Sequence, residues 1–256
     1  MQFVEYKNSN RIGYITLNRP KKRNALNYQV VAELKEAFNL ANNDSDTKVI
    51  ILTAEGDAFC AGADLAYLEE LQQNSFDETL ADSNHLKELF LQIYTLSKVV
   101  IAAIQGHAIA GGSGLASVCD YAFSVPQAKF GYTEVRIGFI PAIVMVFLIR
   151  KIGEQKAKDV LLSGRLITAQ EAAEIGVITK VIEADLQKEV EAFAQELIAK
   201  NSAQSMAQTK QMIANVQNLS LEEGLHLAAE QNAKARATDD CKKGISAFLK
   251  KETIKW

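Results

Sequence analysis

The chain has 256 residues, 48% of them apolar, only three prolines, and a formal net charge of −3 at pH 7. That supports one large core, or one core with a small helical appendage, and leaves no low-complexity linker. The charge balance excludes an overall basic field for nucleic acid, and Cys60, Cys119 and Cys241 are too widely spaced for a disulfide framework or a zinc site.

Residues 11–18, RIGYITLN, alternate as a strand does, and MQFVEY before them pairs with it as a hairpin through KNSN. From Asn27, helical spacing puts Val30, Leu34, Ala37, Phe38 and Ala41 on one face, with Asn27 as the cap. KVIILTA (48–54) and KVVIAAI (98–104) are continuous apolar runs, the pattern of strands buried on both faces. Between them ADLAYLEELQ and DETLADSNHLKELFLQIYTLS read as helices. GLASVCDYAFSV starts helical and ends as a strand. The first half thus repeats strand, glycine turn and helix, which predicts α/β layering with ligands at strand ends and helix N-termini. After about residue 150 the pattern becomes a series of amphipathic helices, expected to join copies of the chain. The apolar run at 137–149 is too short and interrupted for a membrane span, and residues 1–20 show no signal-peptide pattern, so a cytoplasmic protein is expected.

Two stretches offer free backbone donors. FCAGADL (59–65) and AGGSG (110–114) each place a small-residue turn after a buried strand and before a helix. Either alone is a tight turn chosen for packing. Together they can aim two N–H groups at one oxygen, the geometry of an oxyanion hole. Further on, KFGYTEVRIGFIPA (129–142) puts Glu134 among apolar and aromatic residues. Such a carboxylate either pairs with a cation, here Arg136, or sits desolvated as an acid–base group. Tyr132 lies near it, as packing or as a holder of water.

These residues resemble a known family. LNRPKKRNAL (17–26), FCAGADL (59–65), IAAIQGHAIAGGSGLASVCD (101–120), KFGYTEVRIGFIP (129–141), LLSGRLITAQEAAEIGVITKV (161–181) and ATDDCKKGISAFLKK (237–251) echo, in order, the enoyl-CoA hydratase/isomerase (crotonase) superfamily. The resemblance implies an α/β, ClpP/crotonase-like ββα superhelix over residues 1–195 and a C-terminal helical trimerisation region over 196–256. It implies a homotrimer or a dimer of trimers, with no cofactor or metal beyond the acyl-CoA substrate. By position, Ala63 and Gly111 match the two oxyanion-hole residues and Glu134 the group that moves the α-proton. Lys22 and Arg23 match contacts to coenzyme A, Ala61 and Asp64 its adenine and ribose side, and Phe248 and Lys251 a C-terminal segment reaching a neighbouring subunit's CoA.

Family hydratases carry a second glutamate in the glycine turn, to hold water. It would fall at position 114, which here is glycine. The active-site residues alone therefore favour a 3-enoyl to 2-enoyl-CoA isomerase working with Glu134 only. The whole-chain pattern, GLASVCD and GYTEVRIGFIPAIVMVFLIR above all, is similar instead to the 3-methylglutaconyl-CoA hydratase-like branch, and places a hydratase or dehydratase slightly ahead. Against a diacid substrate, Lys87 is the only lysine or arginine from Asp64 to Phe90, beside seven acids counting Asp64. The competing class is an acyl-CoA-binding subunit that lost catalysis with the carboxylate at 114.

Overall fold

The computed structural model describes residues 1–256. Strands β1 (Val4–Ser9) and β2 (Ile12–Leu17) form the hairpin, but its turn is Asn10–Arg11 alone. Both turn residues have positive φ, 53° and 66°, as a two-residue type I′ turn requires for its twist to match the strands. β1 therefore runs on through Lys7–Ser9, which the pattern of the sequence placed in the loop.

From β2 the main sheet continues in parallel through β3 (Val49–Ala54), β5 (Val99–Ile104), β7 (Tyr121–Ser124) and β10 (Lys180–Val181). Its central strands alternate between two apolar clusters. Ile50, Leu52, Val100, Ala102 and Ile104 enter the larger one, with Val30, Leu34, Ala37, Phe38 and Ala41 of α1 (Tyr28–Asn43). Val49, Ile51, Val99, Ile101 and Ala103 enter the smaller, with Val190, Ala194 and Ile198 of α8 (Leu186–Lys200). A strand covered on both faces has no solvent side, hence the unbroken apolar runs. Asn27 caps α1 as expected, its side-chain oxygen accepting from the Val30 N–H at 3.0 Å.

A second, smaller sheet has the order β4 (Ala58–Cys60), β6 (His107–Ile109), β8 (Lys129–Gly131), β9 (Leu166–Thr168). Its strands have three residues each, too few for a periodic signal. β4, β6 and β8 each follow a strand of the large sheet, and each leads into a candidate segment: residues 61–64, residues 110–114 and Glu134. The small sheet thus lines up the three segments singled out in the sequence.

Helices α2 (Leu65–Leu71) and α3 (Phe76–Thr95) follow β4, and α4 (Gly111–Val118) follows β6. Then come α5 (Ala142–Ile152), α6 (Glu154–Ser163) and α7 (Ala169–Ile175). Beyond α8 lie α9 (Ala203–Val216), α10 (Leu221–Arg236) and α11 (Asp239–Lys250). The boundary placed after residue 195 falls inside α8, which continues to Lys200 because Ile198 is still packed against the sheet. α9 is also tied to the core. Lys210, 8% exposed, donates to the Ile93 and Lys98 carbonyls and to Asp120 Oδ2 at 2.7 Å. α10 and α11 bury no residue within this chain and expose Leu221, Leu225, Phe248 and Leu249. No helix is long and apolar enough to cross a membrane.

Candidate active site

The segment after β2 and the turn after β4 are stitched together by backbone hydrogen bonds. The Ala61 N–H donates to the Arg23 carbonyl, Leu26 N–H to Gly62 O at 2.7 Å, and Asp64 N–H to Leu26 O at 2.8 Å. This is a short parallel ladder with Leu26 opposite Ala63. Because residues 62 and 64 supply the bonds to Leu26, the N–H of Ala63 points the other way. It has no backbone or side-chain acceptor, and Ala63 is exposed.

The second donor comes from α4. Gly111 is its first residue, so its N–H has no carbonyl one turn earlier to bond. The preceding Ala110 has φ 51° and ψ −122°, a conformation that alanine rarely adopts. Its N–H is held by the Gly131 carbonyl at 2.7 Å. The two turns are in contact: a Cβ built on Gly62 would lie 2.8 Å from Ala110 Cβ and 3.3 Å from Gly111 N. Gly112 permits this approach, since a Cβ there would fall 2.0 Å from the Cys60 carbonyl oxygen. The Ala63 and Gly111 donors therefore share one rim at the N-terminus of α4, whose dipole favours negative charge.

Glu134 begins a short 3-10 turn after β8. One of its carboxyl oxygens, Oε2, is buried without a hydrogen-bond partner. Burial raises its pKa above the ordinary glutamate value, and no cation offsets the shift. The pairing with Arg136 considered from sequence does not form; Arg136 is exposed and Glu134 has no salt bridge. Ser113 went unnoticed in the sequence. Fully buried, it donates to the Ala108 carbonyl and accepts from the Gly131 N–H at 3.0 Å, fastening β8, and with it Glu134, to α4. A lone serine inside a glycine turn carries no local signal of such a bridge.

Position 114 is filled. A Cβ built on Gly114 would meet Val144 Cγ1 at 2.2 Å, Val144 Cβ at 2.8 Å and Phe90 Cε1 at 3.0 Å. Val144 on α5 and Phe90 on α3 are both buried. The space in which a second carboxylate would start is apolar side chain.

Lys22 and Arg23 are exposed on the turn that holds Ala61, with Lys21 beside them. Ala61 is partly exposed, and no N–H takes its carbonyl. Asp64 is 8% exposed and already engaged: Arg19 Nη1 donates to Oδ2 at 2.8 Å, and Oδ1 caps α2 through the Ala66 N–H. Burial alone would raise its pKa, but Arg19 holds the carboxyl below the ordinary value. Its side chain anchors the turn. Phe248, 84% exposed, and Lys251 lie at the end of α11, on a helical layer that packs on α10. The single chain thus brings together Lys22, Arg23, Ala61, Ala63, Gly111 and Glu134, and leaves Phe248 and Lys251 apart from them. Two acidic residues of α3 are engaged by neighbours: Asp82 accepts from the Tyr67 hydroxyl and Glu88 pairs with Lys35. A cleft of about 970 Å³ opens elsewhere, between α9, α11 and the C-terminal end of α4, and none of the six residues lines it.

Two mostly parallel sheets wound as ββα units, with a helix-start turn and a strand-end turn in contact on one rim, are the architecture of a crotonase-type α/β enzyme of acyl-thioester chemistry. The model of the enoyl-CoA hydratase/isomerase family matches residues 7–256. A Thermus thermophilus protein provisionally named an enoyl-CoA hydratase is 40% identical over 94% of this chain and 95% of its own. The 2,3-dehydroadipyl-CoA hydratase of Escherichia coli is 34% identical over 95% and 94%. The crystal structure of an enoyl-CoA hydratase/isomerase from Marinobacter aquaeolei superposes with a TM-score of 0.92 at 31% identity, covering 100% of this chain and 99% of that one. The chain belongs to the enoyl-CoA hydratase/isomerase family and is an enzyme acting on acyl-CoA thioesters.

Proposed function

We propose that the chain moves a double bond in an enoyl-CoA, using Glu134 as its only acid–base group and the N–H groups of Ala63 and Gly111 as an oxyanion hole. The observation that carries this reading is the packing of Val144 and Phe90 over Gly114. Hydration needs a group to orient and activate water, whereas isomerisation needs one base that takes a proton from the carbon α to the thioester and returns it at the far end of the enolate. As the C–H bond breaks, its electron pair moves onto the carbonyl oxygen, where the two donors receive the charge. Each such donor typically contributes about 3–4 kcal/mol to the transition state. A desolvated Glu134 is a stronger base than one in water, which suits a weakly acidic α-proton.

A second reading is hydration of a branched substrate such as 3-methylglutaconyl-CoA. The stretches GLASVCD (114–120) and GYTEVRIGFIPAIVMVFLIR (131–150) favour the branched substrate, and the hydratase names of several relatives favour hydration. The basic turn Lys21–Arg23 beside Ala61 suits the phosphates of coenzyme A. Residues 196–256 are assigned to oligomer formation, as a trimer or a dimer of trimers. The exposed Leu221, Leu225, Phe248 and Leu249 support this, since apolar groups of that size seek a partner. In such an assembly Phe248 and Lys251 would meet a neighbour's CoA.

The test is to incubate the protein with crotonyl-CoA, 3-methylglutaconyl-CoA and a 3-enoyl-CoA and to follow products by mass and ultraviolet absorbance. Conjugation of the 3-enoyl bond without a mass change is expected. Addition of water to either 2-enoyl substrate would replace this reading with the second. Sedimentation of the purified chain checks the oligomer, and a monomer would remove that part.

A further inference from the structure

Arg19 lies between β2 and the turn at residues 20–22, with its side chain only 15% exposed. A guanidinium so far out of water needs acceptors. Its Nη1 donates twice, to Asp64 Oδ2 at 2.8 Å and to the Ala25 carbonyl at 3.1 Å. The Arg19 backbone N–H donates to Asn24 Oδ1 at 2.8 Å, and Asn24, fully buried, donates to the Glu55 and Ala58 carbonyls. Both ends of the arginine are therefore fixed. The contact to Ala25 leads to the candidate site. A trans peptide is planar, and its C=O and N–H point in opposite directions. The Ala25 carbonyl shares a peptide with the Leu26 N–H, which donates to Gly62 O at 2.7 Å. The Gly62 carbonyl shares a peptide with the unbonded Ala63 N–H. Nη1 of Arg19, the 25–26 peptide and the 62–63 peptide thus stand head to tail, and the row ends at the Ala63 N–H.

Resting on Ala63 as an oxyanion-hole donor, we propose that Arg19 is a positioning residue: through these two peptides it aims the Ala63 N–H at the thioester oxygen. The same nitrogen holds residue 63 from both sides. Through Ala25 it fixes the peptide before Ala63, and through Asp64 the residue after it, whose N–H donates to Leu26 O at 2.8 Å. An oxyanion donor works because its direction is set before charge develops. Hydrogen bonds in a row also polarise one another. A cation heads this row, and Asp64 offsets part of its charge.

The test is Arg19→Met, read by the infrared carbonyl band of bound butyryl-CoA labelled with carbon-13 at the thioester. This acyl-CoA has no double bond to move, so the band reports the oxyanion hole without turnover. In wild type the band is expected below its frequency in water, and in Arg19→Met it should return towards that frequency. The variant's kcat should fall at least about tenfold, part of the roughly 10²–10³-fold that loss of a whole donor costs, with KM for the acyl-CoA within twofold. An Arg19→Met protein that melts lower but keeps the wild-type band makes Arg19 a structural tie only and overturns the proposal, as does a kcat within twofold of wild type. If Arg19→Met does not fold, Arg19→Lys decides. Its shorter side chain keeps the charge without the planar fork, and its band must lie between those of wild type and of free butyryl-CoA; a band at the wild-type position overturns the proposal. A wild-type band at its frequency in water would instead overturn Ala63 as a donor, and this role of Arg19 with it.

Discussion

Replacing Gly114 by alanine adds one methyl group to α4, and the structure states what it meets. At 2.2 Å from Val144 Cγ1, it is about 1.3 Å inside the ~3.5 Å optimum of a carbon–carbon contact. Overpacking of this kind costs about 1–3 kcal/mol. The better helix propensity of alanine returns about 1 kcal/mol. Val144→Ala by itself removes two buried methyl equivalents and leaves a small cavity, about 2 kcal/mol. Made together, the two changes remove the 2.2 Å collision with Cγ1 and leave only the milder ones, 2.8 Å from the Cβ of residue 144 and 3.0 Å from Phe90 Cε1, so the pair should couple favourably by about 1–2 kcal/mol. Urea unfolding of wild type, both single variants and the double variant, at one protein concentration, measures each corner of this cycle. A Gly114→Ala protein as stable as wild type, or a double variant whose loss is the sum of the single ones, would refute the reasoning. Position 114 would then be open, and the argument against a water site there would fall with it.

Glu134→Gln should lower turnover by about 10²–10⁴-fold while CoA affinity, read by calorimetry, is kept. Burial raises the Glu134 pKa above 4.5, so the fold favours the protonated form and loses that contribution as pH rises through the folded-state value. The glutamine variant should therefore be the more stable protein at neutral pH, the difference closing below the ordinary glutamate pKa, and the acid limb of wild-type kcat/KM should lie above 4.5; thermal unfolding and rate profiles across pH check both. Ala110→Gly relieves a positive-φ alanine and should stabilise by about 1 kcal/mol, an expectation that a lowered urea midpoint would contradict. Lys210→Met leaves the partly exposed Asp120 with the Val100 N–H alone and should cost about 2–3 kcal/mol, below the range of a fully buried pair; hydrogen exchange should show α9 loosening first, and uniform protection would count against α9 being pinned by that one side chain.

The local readings from sequence held wherever one element decides its own form. β3 and β5 show as apolar runs because both their faces are covered, and α1 shows as a capped amphipathic helix because its stripe and its Asn27 cap lie within one segment. The three turns ending at Ala63, Gly111 and Glu134 were visible for a similar reason, as small residues or an isolated acid after buried strands. The hairpin turn was misplaced by three residues because Asn10 and Arg11, neither of them glycine, take the left-handed conformation. The small sheet was invisible because three-residue strands hold no period.

Sequence alone determined the α/β layering, the family and the absence of a carboxylate at position 114. Only the tertiary structure decided what stands there instead: Val144 comes from thirty residues further along and Phe90 from another helix, and no local pattern records that their side chains meet Gly114. The same holds for the pairing of Asp64 with Arg19 and for Ser113 bridging β6 and β8. Propensity and periodicity act between neighbours in the chain, whereas packing, ion pairing and the cost of an unpaired polar atom depend on what the fold brings alongside.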